Sequence, residues 1–134
     1  MESNQKLAYQ FQYLKEQRDW FGNQLEVVNV SLSNLRNSKV TIENLKNVKS
    51  GEEILIPIGG LFNLKATIKD PEKVLLYVSQ DVIIEKNLDG SIEFVNKLIE
   101  QHNENVKFLV AQIQKLDANL QGISQQIRNA TSQE

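Results

Sequence analysis

The sequence predicts an α+β chain: a long antiparallel two-helix coiled coil carrying two central β-hairpins. Three observations predict it. Residues 4–48 and 88–130 carry apolar residues at alternating steps of three and four, the mark of a coiled-coil seam. Residues 53–86, between them, hold β-branched and apolar runs broken by Gly59-Gly60 and Asp70-Pro71. The two helical stretches are also nearly equal in length, so a compact insert lets the second fold back along the first. One domain spanning residues 1–134 is expected.

In the first helix the seam is Leu7, Phe11, Leu14, Arg18, Phe21, Leu25, Val28, Leu32, Leu35, Lys39 and Ile42, with two basic interruptions. No proline breaks it, and Gly51 is placed to end it. In the insert, Pro57 lacks the N–H that a ladder needs, so its strand should stop pairing there. Gly59-Gly60 permits a tight reversal. Phe62, Leu64, Ala66 and Ile68 alternate with Asn63, Lys65, Thr67 and Lys69, as in a half-buried strand. Asp70-Pro71-Glu72-Lys73 reads as a turn, with Pro pre-setting its second position. Residues 74–78 and 82–86 make a second strand pair around Ser79-Gln80-Asp81. Asn87 or Asp89 can cap the second helix. Its seam is Ile92, Val95, Ile99, His102, Val106, Leu109, Ile113, Leu116, Leu120, Ile123, Ile127 and Ala130. An antiparallel alignment brings Arg18 beside Asp117.

The insert poses a problem of coverage. Its strands are apolar on both faces, a lone hairpin is marginal in water, and open apolar edges invite other chains. The helices use their stripes on each other. The sheet is therefore expected to complete itself with strands from other subunits. The residues assigned to that interface are Ile54, Ile56, Ile58, Phe62, Leu64, Ile68, Val74, Leu76, Val78, Val82 and Ile84.

Composition narrows the chemistry. A net charge of −2 in 134 residues lacks the clustered cations of a nucleic-acid footprint. There is no cysteine, hence no disulfide framework or thiolate nucleophile. No run approaches the ~20 apolar residues of a membrane helix, and the polar start does not read as a signal peptide; a cytoplasmic location is expected. His102, the single histidine, sits in the seam as a polar defect. Glu52, Glu53, Asp70, Asp81, Glu85 and Asp89 look like charges that solubilise a sheet rim. No nucleophile–base set can be assembled and Gly59-Gly60 matches no phosphate loop. The chain reads as a non-enzyme with no cofactor and no metal.

The informative oddity is aromatic. Tyr9, Phe11, Tyr13, Trp20 and Phe21 cluster in the first helix. Phe11 and Phe21 lie in the seam, whereas Tyr9, Tyr13 and Trp20 fall outward as a stripe, which marks a contact surface or packing against a neighbouring helix of an oligomer. The end of the second helix is rich in Gln, Asn and Ser. A free end that is apolar and nearly uncharged suits weak contacts with apolar chains.

The joints of this layout carry a family resemblance. Ile56-Pro57-Ile58-Gly59, then Ile68 and Asp70, then Val74-Leu75-Leu76 with Val78, then Glu85-Lys86 entering the second helix resemble the alpha class of prefoldin subunits over essentially the whole chain. One departure is Ser79-Gln80-Asp81, where the family usually places a glycine pair; a divergent gamma-type, filament-forming paralogue shares the pattern. The resemblance implies an ATP-independent holdase, with hairpins forming a shared β-barrel in a hexamer of two alpha-class and four beta-class subunits. It also implies arm tips that grip unfolded clients and deliver them to a group II chaperonin, with neither nucleic acid nor membrane as partner. On this chain the tip residues are Leu7, Tyr9, Phe11, Tyr13, Ile123, Ile127 and Ala130. The rival reading is a structural coiled-coil protein that builds filaments through its hairpins.

Overall fold

The computed structural model describes residues 2–132. The order of elements is α1 (Glu2–Leu45), β1 (Glu53–Pro57), β2 (Asn63–Thr67), β3 (Lys73–Ser79), β4 (Val82–Asn87) and α2 (Leu88–Ser132). The strands form two separate antiparallel pairs, β1 with β2 and β3 with β4. The helices have 44 and 45 residues, each ~66 Å of continuous helix at 1.5 Å per residue. The chain divides into two compact units, residues 34–99 and the paired helix segments on either side of them.

In the unit made by residues 2–33 and 100–132, the two segments pack antiparallel. Arg18 meets Asp117 and Ser31 meets His102, so numbers rise along one segment as they fall along the other. Every expected seam position in these segments is half-buried or buried. Leu32, Leu109, Leu116 and Ile123 are the buried ones, three of them on α2. A two-helix seam covers only a stripe, so most of its members keep some contact with water.

The other unit joins the remaining helix turns to both hairpins. Helix α1 ends at Leu45 rather than at 48. The amides of Lys46, Asn47 and Val48 donate to carbonyls three residues back, at 3.1–3.2 Å, so the last turn tightens and satisfies its own acceptors. Gly51 therefore does not cap the helix. At φ 89° it turns the chain into β1, where its N–H donates to the Ile68 carbonyl at 2.7 Å. A side chain at that φ would be strained.

Hairpin β1–β2 pairs Ile54 with Ala66, Ile56 with Leu64 and Pro57 with Asn63. The strand stops at Pro57, as the missing donor requires. Ile58 N–H then donates to the Phe62 carbonyl at 2.9 Å, and Gly59 at φ 88° makes the reversal. Asp70 Oδ1 accepts from the Glu72 N–H at 3.0 Å, an Asx turn that seats Pro71 in a buried position. In β3–β4 the ladder runs from Lys73 opposite Asn87 to Tyr77 opposite Ile83, then shifts so that Ser79 faces Val82. Val78 is the extra residue of a bulge. No described non-glycine residue has positive φ, so Gln80-Asp81 closes the turn without the left-handed residues that a glycine pair would supply. The departure from the glycine turn is absorbed by that bulge.

Asn87, not Asp89, caps α2: its Oδ1 accepts from the Gly90 N–H at 2.7 Å. A Cβ at Gly90 would lie 2.7 Å from that oxygen, so glycine makes room for the cap. The Ser91 hydroxyl, buried, donates to the Asn87 carbonyl at 2.7 Å. Asp89 lies in the first turn, where a carboxylate suits the helix dipole, and pairs with Lys46 at 2.7 Å. At its other end α2 reaches Ser132, two residues past the expected 130, and Gly122 does not interrupt it.

Candidate functional site

Two surfaces stand out, one in each unit. In the hairpin unit the apolar strand residues are mostly uncovered. Ile54, Ile56, Ile58, Phe62, Leu64, Val78, Val82 and Ile84 are all exposed, Phe62 by 69%. The half-buried strand expected at Phe62, Leu64, Ala66 and Ile68 is thus only partly so. Ala66 and Ile68 are half-buried, but Phe62 and Leu64 face water because no element of the unit covers them. Strand β3 divides its faces: Val74 and Leu76 are half-buried, Leu75 and Tyr77 exposed. Val74 and Leu76 line an apolar groove of about 680 Å³ with Leu35, Ile42 and Leu45 of α1 and Phe94 of α2. The Lys86 ammonium sits 5.5 Å from the centroid of the Phe94 ring, a cation–π contact. So Val74 and Leu76 are partly covered within the chain, whereas Leu55, Leu61, Tyr77, Ile83 and Leu75, the last also bordering the groove, are exposed, have apolar surface to spare and were not among the expected interface residues. Their signal was already in the sequence, in runs apolar on both faces.

In the helical unit the arm is built around a thin seam with an outward stripe. Leu7, Phe11, Ile127 and Ala130 are half-buried, and Ile123 is buried. Tyr9 and Tyr13 beside them are 78% and 61% exposed, and Tyr13 Oη accepts from Gln17 Nε2 at 3.0 Å. Trp20, 58% exposed, meets Phe21 edge to face at 5.1 Å between centroids. Phe21 in turn meets Phe108 at 6.5 Å across the seam. Phe108 escaped the sequence reading because it lies off the seam of α2, outside the aromatic cluster of the first helix.

Polar groups fix the register. Arg18 Nε donates to Asp117 Oδ1 at 3.0 Å, the contact that the antiparallel alignment expects. Gly22 makes space for it, since a Cβ there would lie 3.3 Å from Arg18 Nη1. His102 is satisfied as well as tolerated: its Nε2 and the Ser31 hydroxyl share a hydrogen bond at 3.1 Å. Nothing in the spacing of His102 pointed to Ser31, which stands one residue off the seam. Nearest the start of the seam, Asn4 has its Oδ1 enclosed with no hydrogen-bond partner among the described residues. Opening this end gives that acceptor access to water. Among the described residues no three of His, Asp or Glu converge to hold a metal ion, and no helix is long and apolar enough to cross a membrane.

Comparison with known proteins gives this architecture a context. A family profile described as "Prefoldin subunit" matches residues 14–133. The chain is 32% identical to "Prefoldin subunit alpha" of Pyrococcus horikoshii over 104 residues, 77% of this chain and 70% of that one. It is 24% identical to "Prefoldin subunit alpha" of Thermofilum pendens over 127 residues, 95% of this chain and 98% of that one. Among solved structures, a chain of filamentous PFD from Methanocaldococcus jannaschii superposes with a TM-score of 0.71 at 18% identity, over 84% of this chain and 93% of that one. The prefoldin beta subunit from Thermococcus strain KS-1 does so with a TM-score of 0.66 at 15% identity, over 97% and 93%. At those identities the two structures speak for the fold.

Proposed function

The chain belongs to the prefoldin family, a family of chaperones, with alpha-class subunits among its relatives, and from that premise we propose that it is an ATP-independent holdase subunit. In this reading its hairpins join beta-class subunits in a shared β-barrel, giving a hexamer of two alpha-class and four beta-class chains. Its arm ends hold unfolded proteins and pass them to a group II chaperonin, and the complex works in the cytoplasm. No bond-making step is assigned to it.

The observation that carries this reading is the end of the helical unit. Tyr9 and Tyr13 are exposed beside Leu7, Phe11, Ile123, Ile127 and Ala130 of the seam. The last turns of a two-helix coil fray at low cost, and there the Asn4 oxygen has no hydrogen-bond partner among the described residues to hold the end closed. A frayed end offers apolar side chains to apolar segments of a client. Several weak arms acting together hold such a client through effective concentration, and weak single contacts permit release without nucleotide.

Assembly is supported by the uncovered strands. Single exposed apolar residues are ordinary, but contiguous ones on two-stranded hairpins with open edges mark an interface. The likeness to filamentous PFD favours a second reading, in which the hairpins join copies end to end as a filament. Light scattering after size exclusion separates the two. The chaperone reading expects a closed complex only with a beta-class partner, together with suppression of client aggregation. Ladders or fibres formed by the chain alone, with no suppression, would establish the filament instead.

A further inference from the structure

The outer face of α1 carries a second row with the same step as the seam. Tyr9, Tyr13, Glu16, Trp20, Asn23, Val27 and Val30 follow one another at alternating intervals of four and three. All seven are exposed, and all lie within the helical unit. A helix with one seam needs only one such row; the opposite face is ordinarily polar. Here five of seven members are aromatic or β-branched, and the two polar ones, Glu16 and Asn23, punctuate the row as register-setting residues do in coiled coils.

Spacing and charge together specify what fits. The row climbs ~32 Å, and its members step by about 5 Å along the axis at 1.5 Å per residue. An extended chain places side chains of one face about 6.6 Å apart and drifts out of step within a few contacts. A helix keeps step throughout. Asp19 and Glu26 flank the row on one side, Gln10, Gln17 and Gln24 on the other. Of the neighbouring cations, Arg18, 4.0 Å from Asp19, is engaged with Asp117 across the seam, and Lys15, four residues before Asp19, leaves the flank one acid richer. A second copy of the same face fits poorly: antiparallel, it sets Asp19 and Glu26 against the same acids, and in parallel register it sets Glu16 against Glu16. Like charges so placed are destabilising.

We propose that this outer row docks a basic amphipathic helix of about six turns, presented by a client that has formed helices but not yet buried them. This rests on the holdase reading and names the class of segment held. Tyr13, Trp20 and Val27 supply rigid apolar contact, and Asp19 and Glu26 select lysine or arginine on the incoming flank.

Trp20, the only tryptophan of the chain, reports on its own occupancy. The full-length chain is titrated with two tryptophan-free peptides of about 22 residues sharing one apolar 4–3 pattern, one flanked by Lys and one by Glu. Trp20 emission and peptide helicity are followed. The Lys-flanked peptide is expected to gain helicity, blue-shift Trp20 and bind about tenfold more tightly than the Glu-flanked one, with the advantage shrinking in high salt. Val27→Gln with Val30→Gln should weaken both peptides, and these residues are exposed, so the fold is kept. Asp19→Asn with Glu26→Gln should remove the preference alone. Equal binding of the two peptides, indifference to the valine pair, or a blue shift on concentrating the chain without peptide would overturn the proposal. Client aggregation is measured in parallel on the complex with its beta-class partner. Suppression without peptide preference removes the outer row and leaves the holdase reading standing. Peptide preference without suppression removes the client as its occupant.

Discussion

Leu75 offers the cleanest test of the hairpins as an assembly surface. It is 66% exposed, whereas its neighbour Leu76 is half-buried, although both border the groove. Burying a whole leucine contributes ~1.5–3 kcal/mol; the two thirds still exposed on Leu75 therefore has ~1–2 kcal/mol to give to a partner. In Leu75→Asp that contribution is lost, and a carboxylate entering an apolar contact adds a few kcal/mol unless it is paired. The expected loss is ~3 kcal/mol or more per contact, about 150-fold in affinity. The isolated chain should barely notice, since an exposed strand position answers to β-propensity alone, a span of ~1 kcal/mol. Leu76→Asp should differ by also lowering the thermal stability of the chain itself. The assay is light scattering of each variant with its beta-class partner, with helicity and melting followed on the chain alone. Leu75→Ala should fall between wild type and Leu75→Asp. Normal assembly of Leu75→Asp, or a helicity loss that matches its assembly loss, would refute the reasoning.

The arm yields further expectations. The Arg18–Asp117 pair is half-exposed, so a double-mutant cycle with Arg18→Ala and Asp117→Ala should return a coupling of ~1 kcal/mol or less, reduced in salt; a coupling of several kcal/mol would mean that the pair organises the seam. Gly22→Ala gains up to ~1 kcal/mol of helix propensity but displaces the guanidinium by a few tenths of an ångström, so melting should show a smaller gain in wild type than in an Arg18→Ala background. Leu109→Ala, at a 4% exposed seam position, should cost ~2–3 kcal/mol, and Ile127→Ala, half-buried near the free end, ~1 kcal/mol; equal costs would deny that the end frays. Removing the first ~12 and last ~12 residues should leave assembly intact and weaken suppression of client aggregation, and unchanged suppression with every arm trimmed would take the tip out of the mechanism.

Much of the fold was legible because it follows from spacing. A seam at steps of three and four needs only apolar side chains at those steps, and every seam residue read from the sequence is at least half-buried. Arg18 opposite Asp117 followed from chain direction and helix pitch. Features that depend on atoms meeting across space were not legible. Ser31 reaches His102 from a position without an apolar signal. Leu45 ends α1 because three amides fold back on their own carbonyls, a choice open to most residues. The inward face of β3 is set by the bulge at Val78 and by which helix turns lie beneath it. A run that is apolar on both faces gives no alternation from which to read that choice.

The Lys46–Asp89 contact also has a bearing on the order of folding. It closes a loop holding both hairpins, whereas Ser31 and His102 are 71 residues apart and Arg18 and Asp117 are 99. Closure entropy rises with loop length, so each pairing made shortens the loop that the next must close. The seam should therefore zip from the insert outward and finish at Leu7 and Ile127. During synthesis the delay is longer still. At ~5–20 residues per second, about 2–7 s pass between the appearance of Asp89 and that of Ile123. For most of that interval Phe11 and Leu14 lie on a nascent helix whose facing segment does not yet exist, so the first helix is itself an apolar segment in need of cover until the second is made.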